Sequence, residues 1–161
     1  RGIAHGPALL PVLNMIRLTQ RLAGGAGTPD ATLTLPLEQR LKCRLRVTLD
    51  DGTEAGLFLA RGTTLHDGDH LASREGFSVL VKAAPEAVST LRTADPLLLA
   101  RACYHLGNRH VPLQIGIGYV RYQHDPVLDD LVGRLGLPVT VEHAAFEPEP
   151  GAYAGHGKDH H

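Results

Sequence analysis

The sequence predicts an α+β chain. Residues 1–84 read as a mostly antiparallel β domain, 85–146 as a βαββαβ domain of ferredoxin-like arrangement, and 147–161 as a flexible His-bearing tail. Three observations predict this. An unbroken apolar/polar alternation runs over 41–49 and meets Asp51-Gly52. The pattern changes at Ala83-Ala84-Pro85. Two Asp-Pro pairs, Asp95-Pro96 and Asp125-Pro126, then head apolar runs of helical period.

In the first domain, Ala23 to Pro29 is glycine-rich and reads as a loop. Over 41–49, Leu41, Cys43, Leu45, Val47 and Leu49 face inward, while Lys42, Arg44, Arg46 and Thr48 face out. Asp51-Gly52 supplies the hairpin turn, because both positions tolerate positive φ, and residues 54–59 return as the partner strand. His66 to His70 is a further turn, and Phe77, Val79 and Val81 alternate again.

In the second domain, Ala87 to Thr93 reads as a strand. Asp95 is the N-cap and Pro96 the first residue of a helix with Leu97, Leu98, Ala102 and Leu106 on its apolar side and Gly107 at its C-terminal stop. Val111 to Ile117 and Tyr119 to Tyr122 read as short strands. Asp125-Pro126 starts a second helix, with Asp129 and Asp130 in its first turn and Arg134 in its last, matching the helix dipole. Its buried stripe is Val127, Leu128, Leu131, Val132 and Leu135, and Gly136 ends it. Leu137 to His143 is the last strand. Caps and periodicity alone therefore give the order β-α-β-β-α-β.

Composition excludes several classes. The 161 residues are 43% hydrophobic and 20% charged, an ordinary globular balance. Each domain is small enough that a dimer interface would help to stabilise it. A net charge of -1 argues against a nucleic-acid binder. No apolar run approaches the roughly 20 residues of a membrane span. Residues 9–13 are too few, with no signal-peptide pattern around them. Cys43 and Cys103 stand far apart, read as small core residues, and point to a reducing cytoplasm. The sequence lacks a phosphate loop, a Gly-x-Ser-x-Gly elbow and a His-Glu-x-x-His helix, so no enzyme is indicated.

Histidine is the outlier: ten residues, against three Phe, four Tyr and no Trp. Imidazole is a common neutral ligand for nickel, copper and zinc. His110 follows the expected helix end in a polar turn, where it can meet another molecule. One imidazole holds nickel poorly, but a two-fold axis would place two copies face to face. The alternative is an exposed turn histidine with no ligand.

The run Tyr104-His105-Leu106-Gly107-Asn108-Arg109-His110-Val111-Pro112-Leu113-Gln114-Ile115, then residues 121–130 and 146–153, resembles the UreE urease accessory proteins, a family of nickel metallochaperones. The resemblance is close from about Asp95 to Tyr153 and vaguer upstream. It implies the same two-domain fold, with a peptide-binding-like first domain. It also implies that His110 is the nickel ligand of a homodimer interface. The cargo would pass to the apo-urease accessory complex through the urease accessory GTPase, in the cytoplasm, without catalysis. Copper or zinc is expected to bind the same sites in vitro.

Other histidines are weaker candidates. His156, His160 and His161 in the tail are auxiliary ligands or merely solvated. His105 suits the helix dipole or a supporting role near the metal. His124 matches a peripheral metal histidine of some family members, but Pro126 replaces the second arm, so an ordinary surface residue is favoured. Asn108 and Arg109 either orient the dimer loop or only cap the helix. The rival functions are a general histidine-based metal buffer without a specific recipient, a Lewis-acid enzyme, and a folding chaperone indifferent to metal.

Overall fold

The computed structural model describes residues 15–23 and 27–151, which form two compact units. Residues 35–38 group with the second unit, together with the chain from Ala83 onward. Residues 9–13, most of the 23–29 loop's glycine run (24–26), His5 and the tail histidines lie outside the described residues. No helix among the described residues is long and apolar enough to cross a membrane.

The first unit is built from β1 (Ile16–Leu18), β2 (Gln20–Leu22), β3 (Ala31–Leu35), β4 (Arg44–Thr48), β5 (Glu54–Phe58), β6 (His70–Ala72) and β7 (Ser78–Ala83), with a single helical turn α1 (Leu37–Arg40) after β3. Its strands form two sheets, ordered β1-β5-β4 and β2-β6-β7-β3. The β4–β5 pair is the expected hairpin, with Thr48 opposite Glu54 and Gly52 at a φ of 92°. β1 departs from the antiparallel expectation and runs parallel to β5. Cys43 is half-buried rather than a core residue.

The second unit runs β8 (Pro85–Arg92), α2 (Pro96–Asn108), β9 (Gln114–Gly116), β10 (Tyr119–Gln123), α3 (Pro126–Gly133) and β11 (Val139–Ala145). The sheet order is β11-β8-β10-β9, and each neighbouring pair is antiparallel. Both Asp-Pro pairs act as expected. Asp95 Oδ1 accepts from the N–H groups of Leu97 (3.0 Å) and Leu98 (3.4 Å). Asp125 Oδ1 accepts from Val127 N–H at 2.8 Å. Capping side chains of this kind hold helix N-termini by about 1 kcal/mol each.

Alternation along the strands sorts the sheet into two faces. Leu91, Val120 and Tyr122 point into one core with Ala102 and Leu106 of α2 and Leu128 and Val132 of α3. Several expectations are corrected. Leu97 and Val127 lie off the buried stripes and are 62% and 67% exposed, each in the first turn of its helix. The strand expected over 111–117 shrinks to β9, since Pro112 has no N–H to give a ladder. Arg134 falls just past α3 as its C-cap. The first residues of the expected tail are docked: Phe146 and Pro148 are buried, and Glu149 N–H donates to the Leu113 carbonyl at 2.6 Å.

The opposite face carries a polar clasp across β8, β10 and β11. Glu142 Oε1 accepts from Thr90 Oγ1 (2.7 Å), Arg92 Nη2 (2.9 Å) and Arg121 Nη2 (3.1 Å). Arg121 Nε also donates to Thr90 Oγ1 at 3.0 Å, and its guanidinium lies 5.3 Å over the Tyr119 ring. The Thr90 hydroxyl first, and Arg92 after it, hold the Glu142 carboxyl below the ordinary glutamate value. A depressed folded-state pKa adds stability above the unfolded value of about 4.3, and that stability is lost as pH falls through the folded value. Glu142→Gln is therefore expected to lower the urea midpoint at neutral pH and to flatten its fall in acid. Equal midpoints and equal acid slopes for the two proteins would remove the clasp from the stability of the unit.

Candidate functional site

The end of α2 sets the site. The sequence suggested that Gly107 stops this helix, yet the helix runs on to Asn108 and Arg109 is the cap. Arg109 N–H and Val111 N–H both donate to the Leu106 carbonyl, at 3.1 and 3.3 Å, and His110 N–H donates to the Gly107 carbonyl at 2.9 Å. The pair of bonds from His110 and Val111 is a Schellman motif, which needs a left-handed residue in the C′ position. That residue is His110, with a φ of 57°, the only non-glycine at positive φ among the described residues. α3 closes by the same pattern: Gly136 N–H meets the Gly133 carbonyl, and Leu137 N–H the Val132 carbonyl. There the left-handed residue is glycine, with a φ of 85°.

Two equivalent helix ends thus carry different residues. A side chain in the left-handed region costs roughly 1 kcal/mol relative to glycine. The Leu106–Val111 apolar pair, both packed into the core of the unit, selects the stop in place of Gly107. The outcome is an exposed imidazole held out by strained backbone, the kind of outlier that collects at functional sites. Its ring makes no hydrogen bond within the described residues, so both nitrogens are open.

His110 borders two open clefts. One, of about 420 Å³, is also lined by Arg109, Pro112, Gln123, His124 and Leu128. The other, of about 370 Å³, is lined by Cys103, Gly107, Leu113, Ile115, Glu149 and Gly151. Cys103 is half-buried and packs against the core of the unit, and burial pushes its thiol pKa up, so it is a neutral neighbour rather than a thiolate. Gly151, the last described residue, lines this second cleft. His156, His160 and His161 lie outside the described residues.

The remaining candidates separate. His105 sits exposed in the last turn of α2, edge-on to the Tyr104 ring with centroids 5.3 Å apart, and lines neither cleft. His124 does line the first cleft, and it is not a loose surface residue. Its Nδ1 lies 3.1 Å from Asp129 Oδ2 and 3.0 Å from Ser89 Oγ. Asp129 Oδ1 accepts from the Tyr122 hydroxyl at 2.5 Å. Burial first, and then the Asp129 carboxylate, push the Tyr122 phenol well above its ordinary pKa, which keeps it a donor. Sequence reasoning missed Ser89, Tyr122 and Asp129. The available signal was strand alternation, which turns Ser89 and Tyr122 toward the helices, and the one-turn spacing of Asp129 from the Asp125 cap.

Among the described residues, no three His, Cys, Asp or Glu side chains converge on a point where they could hold a metal ion. A metal bound at His110 would therefore need donors beyond a cluster of this kind.

Comparison with known proteins agrees along the whole described length. Residues 12–84 match the model of the N-terminal domain of the UreE urease accessory protein, and residues 86–161 that of its C-terminal domain. The chain is similar to the urease accessory protein UreE of Alkalilimnicola ehrlichii, with 62% identity over 141 residues, 88% of this chain and 86% of that protein. It is similar to that of Pseudomonas putida at 59% over 147 residues (89% and 88%), and to that of Citrobacter koseri at 55% over 148 residues (91% and 97%). The chain belongs to the UreE urease accessory protein family.

The strain at His110 has a direct consequence. His110→Gly should raise stability by about 0.5–1 kcal/mol, since glycine takes the left-handed conformation freely. His110→Ala keeps the strain and should give no such gain. Urea denaturation of the two variants checks this, and a glycine variant no more stable than the alanine variant would show that the position is unstrained.

Proposed function

We propose that the chain is a nickel carrier for urease assembly, acting in the cytoplasm as a homodimer. Residues 1–84 serve as the peptide-binding-like domain, 85–146 as the metal-binding and dimerisation domain, and 147–161 as the tail. The fourth-first-third-second strand order of β11-β8-β10-β9 supports reading the second unit as ferredoxin-like. His110 of two copies meets across the dimer axis and holds Ni(II). His156, His160 and His161 supply further donors, with His105 and His124 auxiliary. The protein is a carrier, not a catalyst, and its cargo passes through the urease accessory GTPase to the apo-urease complex.

One observation carries this reading. A histidine occupies the left-handed end of α2, where glycine would fold better, and its ring has no partner within the described residues. Two features support a shared site. Imidazole at a single point is a weak ligand, whereas a two-fold axis doubles it without a new residue. Ile115, 44% exposed, borders the same cleft as His110, and Leu97, Tyr104 and Ile117 are exposed on the same unit. Apolar surface beside the ligand suits burial against a second copy. Gly151, the last described residue, lines the same cleft as His110.

The test is nickel titration calorimetry with mass measured alongside. The expected result is about one tightly bound Ni(II) per two chains, weakening in acid because only the neutral imidazole ligates. His110→Gly should stay folded and dimeric and lose the tight nickel. If tight binding survives in that variant, the shared-histidine site is wrong. Nickel-dependent binding of the accessory GTPase then separates a carrier from a simple metal buffer.

A further inference from the structure

His124 is expected from sequence to be an ordinary surface histidine, and its surroundings say otherwise. The ring is a third exposed, but Nδ1 is enclosed by Asp129 Oδ2 at 3.1 Å and Ser89 Oγ at 3.0 Å. Asp129 is itself fixed on its other oxygen by the Tyr122 hydroxyl at 2.5 Å, and Tyr122 is fully buried. These groups come from four elements or their junctions: β8, β10, the loop into α3, and the first turn of α3. His124 N–H is also fixed, to the Ala87 carbonyl at 3.0 Å. Backbone and ring are therefore both immobilised.

A carboxylate only accepts, so Asp129 Oδ2, 3.1 Å from Nδ1, favours a ring with its hydrogen there, while the Ser89 hydroxyl bonded to Nδ1 can take either role. In that tautomer the lone pair is on Nε2, which has no partner among the described residues. His124 lines the cleft that His110 also lines. A carboxylate behind an imidazole is the usual way of fixing ring orientation and raising basicity for a metal.

We propose that Asp129, braced by Tyr122, is a positioning residue that holds His124 as the Nδ1–H tautomer and presents Nε2 to the cleft as a second imidazole for the cargo bound at His110. The identity of the cargo rests on the nickel reading above; the tautomer does not. His110 has an open ring on strained backbone, and His124 has an oriented ring on rigid backbone. One chain thus offers an imidazole without a partner among the described residues beside a held one.

The first experiment needs no metal. Long-range ¹H–¹⁵N NMR on the full chain, labelled at histidine and held at mildly alkaline pH, reads the tautomer directly. Wild-type His124 is expected to be protonated on Nδ1 and bare on Nε2. In Asp129→Asn the signal should move toward the Nε2–H form, because the amide leaves one acceptor oxygen for both Tyr122 and His124. Wild-type His124 found as the Nε2–H tautomer would overturn the proposal.

The second experiment titrates Ni(II) alone. Asp129→Asn should weaken binding by about 10-fold or more. In a His124→Ala background the same substitution should cause no further loss. An equal loss in that background would make Asp129 merely structural and sink the positioning role. Tyr122→Phe keeps the carboxylate and removes its brace, so it serves if Asp129→Asn fails to fold, with a loss of a few-fold and a mixed tautomer expected. An unchanged tautomer in both variants would also overturn the proposal. If wild type keeps the Nδ1–H tautomer and binds no nickel, the carrier reading fails while the positioning by Asp129 stands.

Discussion

The Leu106 carbonyl accepts two backbone donors, from Arg109 and Val111, and the placing of His110 follows from it. The two bonds end α2 one residue beyond the glycine in its last turn. They turn the chain so that Val111 enters the core while His110 is thrown outward. Had the helix ended on Gly107 in the left-handed state, His110 would lie three residues further along an extended segment. The open ring, the two clefts beside it and the short β9 that follows all depend on this one stop. The docked segment over 147–149 depends on it as well, because Glu149 bonds the Leu113 carbonyl just after the turn.

His124 is held by the opposite means. For His110 the backbone determines where the ring stands, and no side chain among the described residues bonds to it. For His124 side chains do the work: Tyr122 and Ser89 from the inward face of the sheet, and Asp129 from α3. The polar groups are satisfied in series, which lets a serine, a tyrosine hydroxyl and a carboxylate sit against an apolar core without a large desolvation penalty. The sheet's other face uses Thr90, Arg121 and Glu142 in a comparable closed set. Strand alternation separates the two networks, so one can be altered with little effect on the other.

Much of this was legible in the sequence where a signal is local. Asp95-Pro96 and Asp125-Pro126 each carry a cap and a preset φ, and both helices start where those residues stand. The 41–49 alternation and Asp51-Gly52 gave the β4–β5 hairpin for the same reason. The failures are non-local. Gly107 is a good stop in isolation, but the choice among nearby stops belongs to the Leu106–Val111 apolar pair, which only the folded core makes favourable. Val127 and Leu97 fit a helical stripe, yet both stay exposed, because periodicity does not say where along a helix the packing begins. Asp129 looked like a dipole charge because its partners, Tyr122 and His124, lie on the preceding strand and turn. The parallel pairing of β1 with β5 joins segments nearly forty residues apart and leaves no mark on either.

Two imidazoles in an open cleft cannot select nickel by affinity. Ligands of this type favour copper over nickel, and a rigid cage that reversed the order would need more converging donors than the described residues of one chain provide. Openness instead favours exchange: few donors, exposed to solvent, release a metal readily. On the carrier reading, specificity therefore belongs to the docking step, where the recipient's own ligands and the metal available decide what moves. The strained residue fits that account. A glycine at position 110 would make a better helix end, so the imidazole is kept there at a cost to the fold, and the function has to supply the reason.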